Sequence, residues 1–114
     1  MIVKVIIKRE VIEGKEHDFF IHLKNLRFHA MHQNGYISGE TLVCAENTKR
    51  VVVISKWESL DAWNKWKTNE KRLEIDAVLN EFQDKSTVYE PYVFSKFKLA
   101  AEMGFPLPLQ DQQL

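Results

Sequence analysis

The sequence has a single cysteine, Cys44, no net charge and no long hydrophobic run. One cysteine excludes an intrachain disulfide and a CxxC metal or redox motif, a pattern typical of a reducing compartment. We therefore expect a cytoplasmic protein. Basic and acidic side chains balance at 16 each, which disfavours nucleic acid or an anionic membrane as a partner. The apolar N-terminal stretch is interrupted by Lys4 and Lys8 and is too short to cross a bilayer.

The first third of the chain alternates between strand-like and helix-like patterns. β-branched residues predict a first strand over residues 2–11. An amphipathic helix is predicted over residues 15–33, and Asn34-Gly35 is predicted to end it, because glycine readily takes the left-handed conformation of a helix C-cap. The apolar stripe of this helix consists of Phe19, Leu23, Leu26 and Ala30.

The middle of the chain predicts a β-hairpin. Residues 36–44 and 50–57 have strand character, and the polar residues 45–49 between them have the length of a hairpin loop. Ser59 is a candidate N-cap for a short helix that runs through Trp66.

A second helical stretch and a last strand complete the predicted elements. Thr68 or Asn69 is the candidate N-cap of this stretch. A fourth strand is expected over residues 87–97, where Pro91 suits an edge or a bulge. The buried face predicted for the helix consists of Ile75, Val78, Leu79 and Phe82.

The order strand, helix, strand, strand, helix, strand predicts an α+β protein with a ferredoxin-like βαββαβ fold. Two helices are expected to cover one face of a four-stranded antiparallel sheet. Strands one and three are apolar on both faces rather than on alternate residues, which indicates burial of the second face as well. We therefore expect a homodimer that packs through this sheet face.

Three segments of the sequence resemble the antibiotic biosynthesis monooxygenase family. They are Gly35-Tyr36-Ile37-Ser38-Gly39-Glu40-Thr41, the run from Val51 to Ser59, and Trp63-Asn64-Lys65-Trp66. The resemblance covers about residues 1–97 as one domain and leaves residues 98–114 as a tail or arm. It implies a dimeric α+β barrel. Members of the family include cofactor-independent oxygenases of quinol-like aromatics and haem-degrading enzymes, and a fold alone does not decide between such activities.

The haem-degrading branch of this family has its own residue pattern. It combines an Asn near the end of strand one, a Trp on the second helix and a His further along. Trp66 matches, whereas Ile7 and Asp76 stand where the Asn and the His would be. Isoleucine cannot hydrogen-bond a bound oxygen, and aspartate is a poor axial ligand for haem iron. We therefore expect no haem degradation by that mechanism.

Two histidines of the first helix are candidate catalytic bases. His22 and His29 share one edge of the apolar stripe, which we expect to border a cavity between helix and sheet. Along the helix they are about 10 Å apart, too far to bind one metal ion together. Imidazole is a common general base near neutral pH. A structural role at the boundary of the core is the alternative.

The other candidate site residues are aromatic or basic. Trp63 and Trp66 could line a pocket for a flat aromatic substrate, to which Tyr36 could donate a hydrogen bond. Arg27 and Arg72, if turned inward, could stabilise the phenolate or enolate charge that develops during oxygenation, which makes Arg27 a candidate catalytic residue. Alternatively, the aromatic residues pack in the core or an interface, and the arginines form ion pairs on the surface.

The leading hypothesis is therefore a cofactor-independent monooxygenase of a small quinol-like aromatic. The substrate carbanion or enolate would itself reduce oxygen, and neither a metal nor another cofactor is expected. One alternative is a non-catalytic dimeric module that binds a small ligand. Another is a haem-binding protein without the usual haem-degrading residues.

Overall fold

Residues 1–93 are described here in a computed structural model. The elements are β1 (Val3–Glu10), α1 (Glu16–Ala30), β2 (Tyr36–Cys44), β3 (Asn47–Trp57), α2 (Leu60–Lys67), α3 (Glu70–Asn80) and β4 (Val88–Val93). The strands form one sheet in the order β2-β3-β1-β4, with every neighbouring pair antiparallel. This topology confirms the predicted ferredoxin-like α+β fold. The predicted end of the last strand and the tail lie outside the described residues.

The core lies between one face of the sheet and the helices. Along β1 the buried residues alternate with exposed or half-buried ones, so that Val3, Val5 and Ile7 face the helices. They pack against the stripe predicted for α1, all four residues of which are buried. The two other helices add Trp63, Trp66, Ile75 and Leu79 to the same cluster. In residues 1–93 no helix is long and apolar enough to cross a membrane.

The end of α1 differs from the prediction. The helix ends at Ala30 rather than near Gln33, and Gly35, which has a φ of +88°, lies at the start of β2 instead of capping the helix. A Cβ on Gly35 would stand 2.5 Å from the Cβ of Ala62 in α2. The glycine therefore allows both a left-handed turn and the close approach of α2.

The β-hairpin is also tighter than predicted. Its turn consists of Ala45 and Glu46, because β3 begins at Asn47, which pairs with Cys44 next to a register shift. The polar residues 47–49, predicted as loop, extend the strand. Polarity alone did not distinguish an exposed strand end from a loop.

Both predicted caps after β3 are confirmed. The Ser59 side chain accepts a hydrogen bond from the Ala62 amide at 3.1 Å, and Asn69 accepts bonds from the amides of Lys71 and Arg72. Phe82 lies beyond the end of α3 but packs against the core. Pro91 lies on β4, an edge strand of the sheet, where it pairs with Val5 of β1. An edge strand is the position expected for proline.

Candidate functional site

A cavity lies between α1 and the sheet, and residues of α2 and α3 close its other side. Its volume is about 50 Å³. Aliphatic side chains of β1, α1 and β3 form the apolar floor and roof. The polar and aromatic lining consists of Arg9, Arg27, Tyr36, Ser55, Trp57, Trp63, Trp66 and Arg72, with Gly39 and Thr41 on β2.

Five of the predicted site residues lie together in this cavity. They are Arg27, Tyr36, Trp63, Trp66 and Arg72. They come from four different elements, α1, β2, α2 and α3, which only the tertiary fold brings together.

The two predicted bases lie elsewhere. The His22 ring stacks on Phe82 with a centroid distance of 5.5 Å, and the His29 ring packs edge-to-face against Phe28. Neither histidine is among the described residues that line the cavity. Their shared helix edge therefore does not border the cavity as predicted, and their role as bases stays a prediction.

An aromatic cluster forms one wall of the cavity. Trp57, Trp63 and Trp66 are each at most 4% exposed. Tyr36 packs edge-to-face on Trp57 at 5.3 Å, and Trp57 contacts Trp63 at 6.0 Å. The Trp57 indole N–H donates to the buried Ser55 hydroxyl at 3.1 Å. Trp57 is thus a core residue whose ring also contributes to the wall.

Arg72 is buried rather than paired on the surface. It is 2% exposed, and its guanidinium lies over the rings of Trp63 and Tyr89 at 5.8 Å and 5.0 Å. Its Nη2 donates to the Tyr89 hydroxyl at 2.6 Å, and its Nη1 donates to the Lys67 carbonyl at 3.2 Å. Both acceptors are uncharged, so these contacts leave the positive charge of Arg72 uncompensated.

A partly buried ion pair continues this network from α3 to β1. The Tyr89 hydroxyl donates to Asp76 at 3.3 Å, and Asp76 accepts from Arg9 Nη2 at 2.8 Å. The Arg9 side chain is only 1% exposed, and its Nη1 also donates to Gln83. Asp76 therefore compensates Arg9, while its second oxygen orients Tyr89 toward Arg72.

Sequence reasoning missed Arg9, Asp76 and Tyr89 as parts of the site. One signal was present for Arg9, which continues the inward series Val3, Val5 and Ile7 at the period of a strand. A charged residue at a core position indicates a buried partner. The haem-degrading pattern placed Asp76 at the position of its His without giving it a role, and no pattern marked Tyr89.

A second corner of the cavity lies where α1 faces β2. Arg27 Nη2 is buried and has no hydrogen-bond partner among the described residues. A Cβ on Gly39 would stand 3.3 Å from this nitrogen and 2.7 Å from the Tyr36 hydroxyl oxygen. The guanidinium and the hydroxyl thus meet above a strand position that carries no side chain.

The two residues that depart from the haem-degrading pattern lie at the cavity or directly behind its lining. Ile7 lines the cavity, and Asp76 is engaged by Arg9 and Tyr89. Within residues 1–93 no three His, Cys, Asp or Glu side chains are grouped as metal ligands.

The family model of the antibiotic biosynthesis monooxygenases matches residues 2–77, from β1 into α3. The chain belongs to this family. No curated protein matches the chain. A conserved protein from Methanosarcina mazei has a similar structure with a TM-score of 0.76 and 22% identity, over 81% of this chain and 91% of that one.

A second solved structure is SnoaB from Streptomyces nogalater, a cofactor-independent oxygenase. It matches with a TM-score of 0.75 and 15% identity, over 83% of this chain and 94% of SnoaB. At these identities the likeness shows the fold alone. Family membership supports a monooxygenase-like protein, and any assignment of substrate depends on the cavity.

Proposed function

We propose that this protein is a cofactor-independent monooxygenase of a small, flat, electron-rich aromatic such as a phenol or quinol. The observation that carries the proposal is the cavity itself, in which buried indole rings stand beside a buried guanidinium. Trp63 and Trp66 line it, and Arg72 lies against Trp63. Family membership and the shared fold of an oxygenase, SnoaB, add support.

Each predicted residue has a role that its place in the cavity allows. Trp63 and Trp66 would hold the substrate ring by aromatic packing. Tyr36 would donate a hydrogen bond to a substrate oxygen, and Arg72 would add a fixed positive charge nearby. Arg27 would stabilise the negative charge that develops as the ring carbon attacks oxygen.

The reaction needs only the aromatic substrate and dioxygen. A phenolate pushes electron density to a ring carbon, which forms a bond to one oxygen atom of O₂. Cleavage of the O–O bond leaves that atom as a new carbonyl, and the other atom leaves as water with two hydrogens from the substrate. One phenol and one O₂ therefore give one quinone and one water, and the substrate supplies the electrons.

No carboxylate or imidazole is among the described residues that line the cavity, so none of them is an obvious proton acceptor. His22 and His29 were predicted for this role, but neither lines the cavity. A substrate that is already ionised when it binds removes the need for a base in the cavity. An acidic phenol is therefore a better substrate class than a simple phenol.

Labelled dioxygen tests the proposed reaction. The protein, treated with a metal chelator, is incubated with a panel of one-ring and two-ring phenols under ¹⁸O₂, and product and oxygen uptake are measured. We expect one labelled oxygen in the product, one O₂ consumed per product, and loss of most activity in Trp66→Leu. Phe28→Leu, an exposed aromatic on α1, is the matched control and should keep full activity.

No uptake above the spontaneous rate with any phenol would contradict the proposed reaction. Binding of the same compounds without uptake would favour the alternative, a non-catalytic ligand-binding module.

A homodimer through the outer sheet face is the second part of the proposal. On this face Ile6 lies opposite Ile54 on the two central strands, and Leu42 of the edge strand β2 lies opposite Val52. Leu42 is 47% exposed, although it is a large apolar residue. Charged residues such as Lys4 and Lys8 surround this apolar patch. A second copy that covers the patch would bury about 800 Å² per subunit in an interface of standard size.

Light scattering at low micromolar concentration tests the dimer. Wild type should have the mass of two chains, and Ile54→Asp should shift it to that of one chain. Leu73→Asp, which changes an exposed apolar residue on α3, should leave the dimer intact. A monomeric wild type would contradict the dimer.

A further inference from the structure

The charges around the cavity do not balance. Three guanidinium groups line it, those of Arg9, Arg27 and Arg72, and no carboxylate is among the described lining residues. Asp76, behind the lining, compensates Arg9. The hydrogen bonds of Arg72 go to a phenol hydroxyl and a backbone carbonyl. The described part of the cavity therefore carries more positive than negative charge.

Two guanidinium nitrogens, Arg9 Nε and Arg27 Nη2, are buried without a hydrogen bond in residues 1–93. Asp76 compensates the charge of Arg9, which leaves Arg27 as the group in need of a counter-charge. A guanidinium stays ionised at any pH that a protein tolerates, and a buried charged donor without an acceptor is costly. An anionic ligand atom beside Nη2 would remove this cost.

The absence of a side chain at Gly39 lets both donors approach β2. A Cβ there would stand 2.7 Å from the Tyr36 hydroxyl oxygen and 3.3 Å from Arg27 Nη2. Gly39 is not among the described glycines with positive φ, so the backbone conformation does not require glycine. Glycine instead allows the hydroxyl and the guanidinium to pack against the strand, beside the cavity that both residues line.

We propose that the corner formed by Arg27, Tyr36 and Gly39 is an oxyanion-binding site, and that the cavity takes a small aromatic compound already bearing a carboxylate or phenolate. The aromatic part of this inference rests on the proposed function, whereas the anionic part rests on the corner alone. The guanidinium and the hydroxyl would donate to the ligand oxygen, and the tryptophan wall would contact its ring.

The size of the cavity restricts the ligand to a small one. Its volume of about 50 Å³ is smaller than the roughly 150 Å³ of an engineered cavity that holds benzene. Only part of a one-ring ligand would therefore lie inside it.

Benzoate and benzamide test the inference as a matched pair, because they have nearly the same shape and differ in charge. Calorimetric titration of wild type should give an affinity for benzoate at least about tenfold higher than for benzamide, as expected for a charge-assisted hydrogen bond. Benzoate has no phenolic hydroxyl to oxidise, so its binding does not depend on the proposed reaction.

Three variants locate the binding. Arg27→Met should weaken benzoate about tenfold or more and leave benzamide unchanged. Gly39→Ala should do the same, because its Cβ would displace the Tyr36 hydroxyl and Arg27 Nη2. Arg50→Met removes an exposed arginine of β3, whose side chain is 62% exposed, and should leave both affinities unchanged. Denaturant unfolding of each variant checks that the fold is intact.

Several results would overturn the inference. They are equal affinities for benzoate and benzamide, no binding of either compound, or full benzoate affinity in Arg27→Met. Benzoate binding that depends on Arg27 would support the oxyanion site even if no phenol were oxidised, so failure of the proposed reaction is distinguishable from failure of this inference.

Discussion

The two ends of the cavity hold their arginines in different ways. At the end near α3, Arg9 and Arg72 are fixed by Asp76, Tyr89 and a backbone carbonyl. At the end near β2, Arg27 has a buried Nη2 without a partner in residues 1–93, beside Gly39. Arg9 Nε is also buried without a partner there, but Asp76 compensates the charge of Arg9. The fold depends on a guanidinium that has its counter-charge in place, whereas a guanidinium without one is available to a ligand. Mutations near α3 should therefore lower stability, and mutations near β2 should weaken ligand binding.

The largest effect on stability is expected at the fixed end. Asp76→Ala leaves Arg9 buried without its counter-charge, and we expect it to lower the free energy of unfolding by about 3–5 kcal/mol. Urea denaturation measures this loss. Glu10→Ala is the control, because its contacts with Arg50 and Lys85 at 3.9 Å and 3.5 Å involve exposed partners and should contribute less than about 1 kcal/mol. Equal losses in the two variants would contradict the special role of the buried pair.

Tyr89→Phe should have a smaller effect in the same direction. It removes the hydroxyl that accepts from Arg72 and donates to Asp76, and we expect a loss of about 2 kcal/mol in the free energy of unfolding. Tyr92→Phe is the matched control, since Tyr92 is 54% exposed, and should change stability by less than about 0.5 kcal/mol. A neutral Tyr89→Phe would show that the network is not coupled through this hydroxyl.

The histidines of α1 belong to neither end of the cavity. A positioned general base contributes about 10²–10⁴-fold to a rate, whereas His22→Gln and His29→Gln should each lower the oxidation rate by less than about tenfold if neither imidazole reaches the substrate. Steady-state oxygen uptake measures this. A loss of about a hundredfold in either variant would instead identify that imidazole as the base.

The smallest effect on stability is expected at the end near β2. Arg27→Met removes a buried donor that has no partner in the described chain, so the free energy of unfolding should rise or stay within about 0.5 kcal/mol of wild type. Urea denaturation without ligand measures it. A decrease of more than about 1 kcal/mol in the free energy of unfolding would mean that Arg27 stabilises the fold. That result would contradict the difference proposed between the two ends of the cavity.

The fold could be predicted from the sequence because its signals are periodic and local. The stripe of α1 and the caps at Ser59 and Asn69 each depend on residues within one element, and the structure confirms them. Where a boundary depended on tertiary contacts the prediction was wrong, as at Gly35, which accommodates Ala62 of α2.

The site was less predictable because its members come from separate elements. Trp63, Trp66 and Arg72 were found through family resemblance, and the period of α3 places Arg72 on the side of Ile75 and Leu79. The contacts of Tyr89 with Arg72 and Asp76 depend on how β4 sits against α3. The meeting of Arg27, Tyr36 and Gly39 depends on how α1 crosses β2, and no spacing within one element encodes such a contact.

The central claim is that Arg27, at the end of the cavity near β2, binds the substrate. The most direct test compares oxygen uptake by wild type and by Arg27→Met with one acidic phenol that wild type oxidises. We predict that uptake at subsaturating substrate falls about tenfold or more in Arg27→Met while the free energy of unfolding does not decrease. Unchanged uptake in a correctly folded Arg27→Met would contradict the claim.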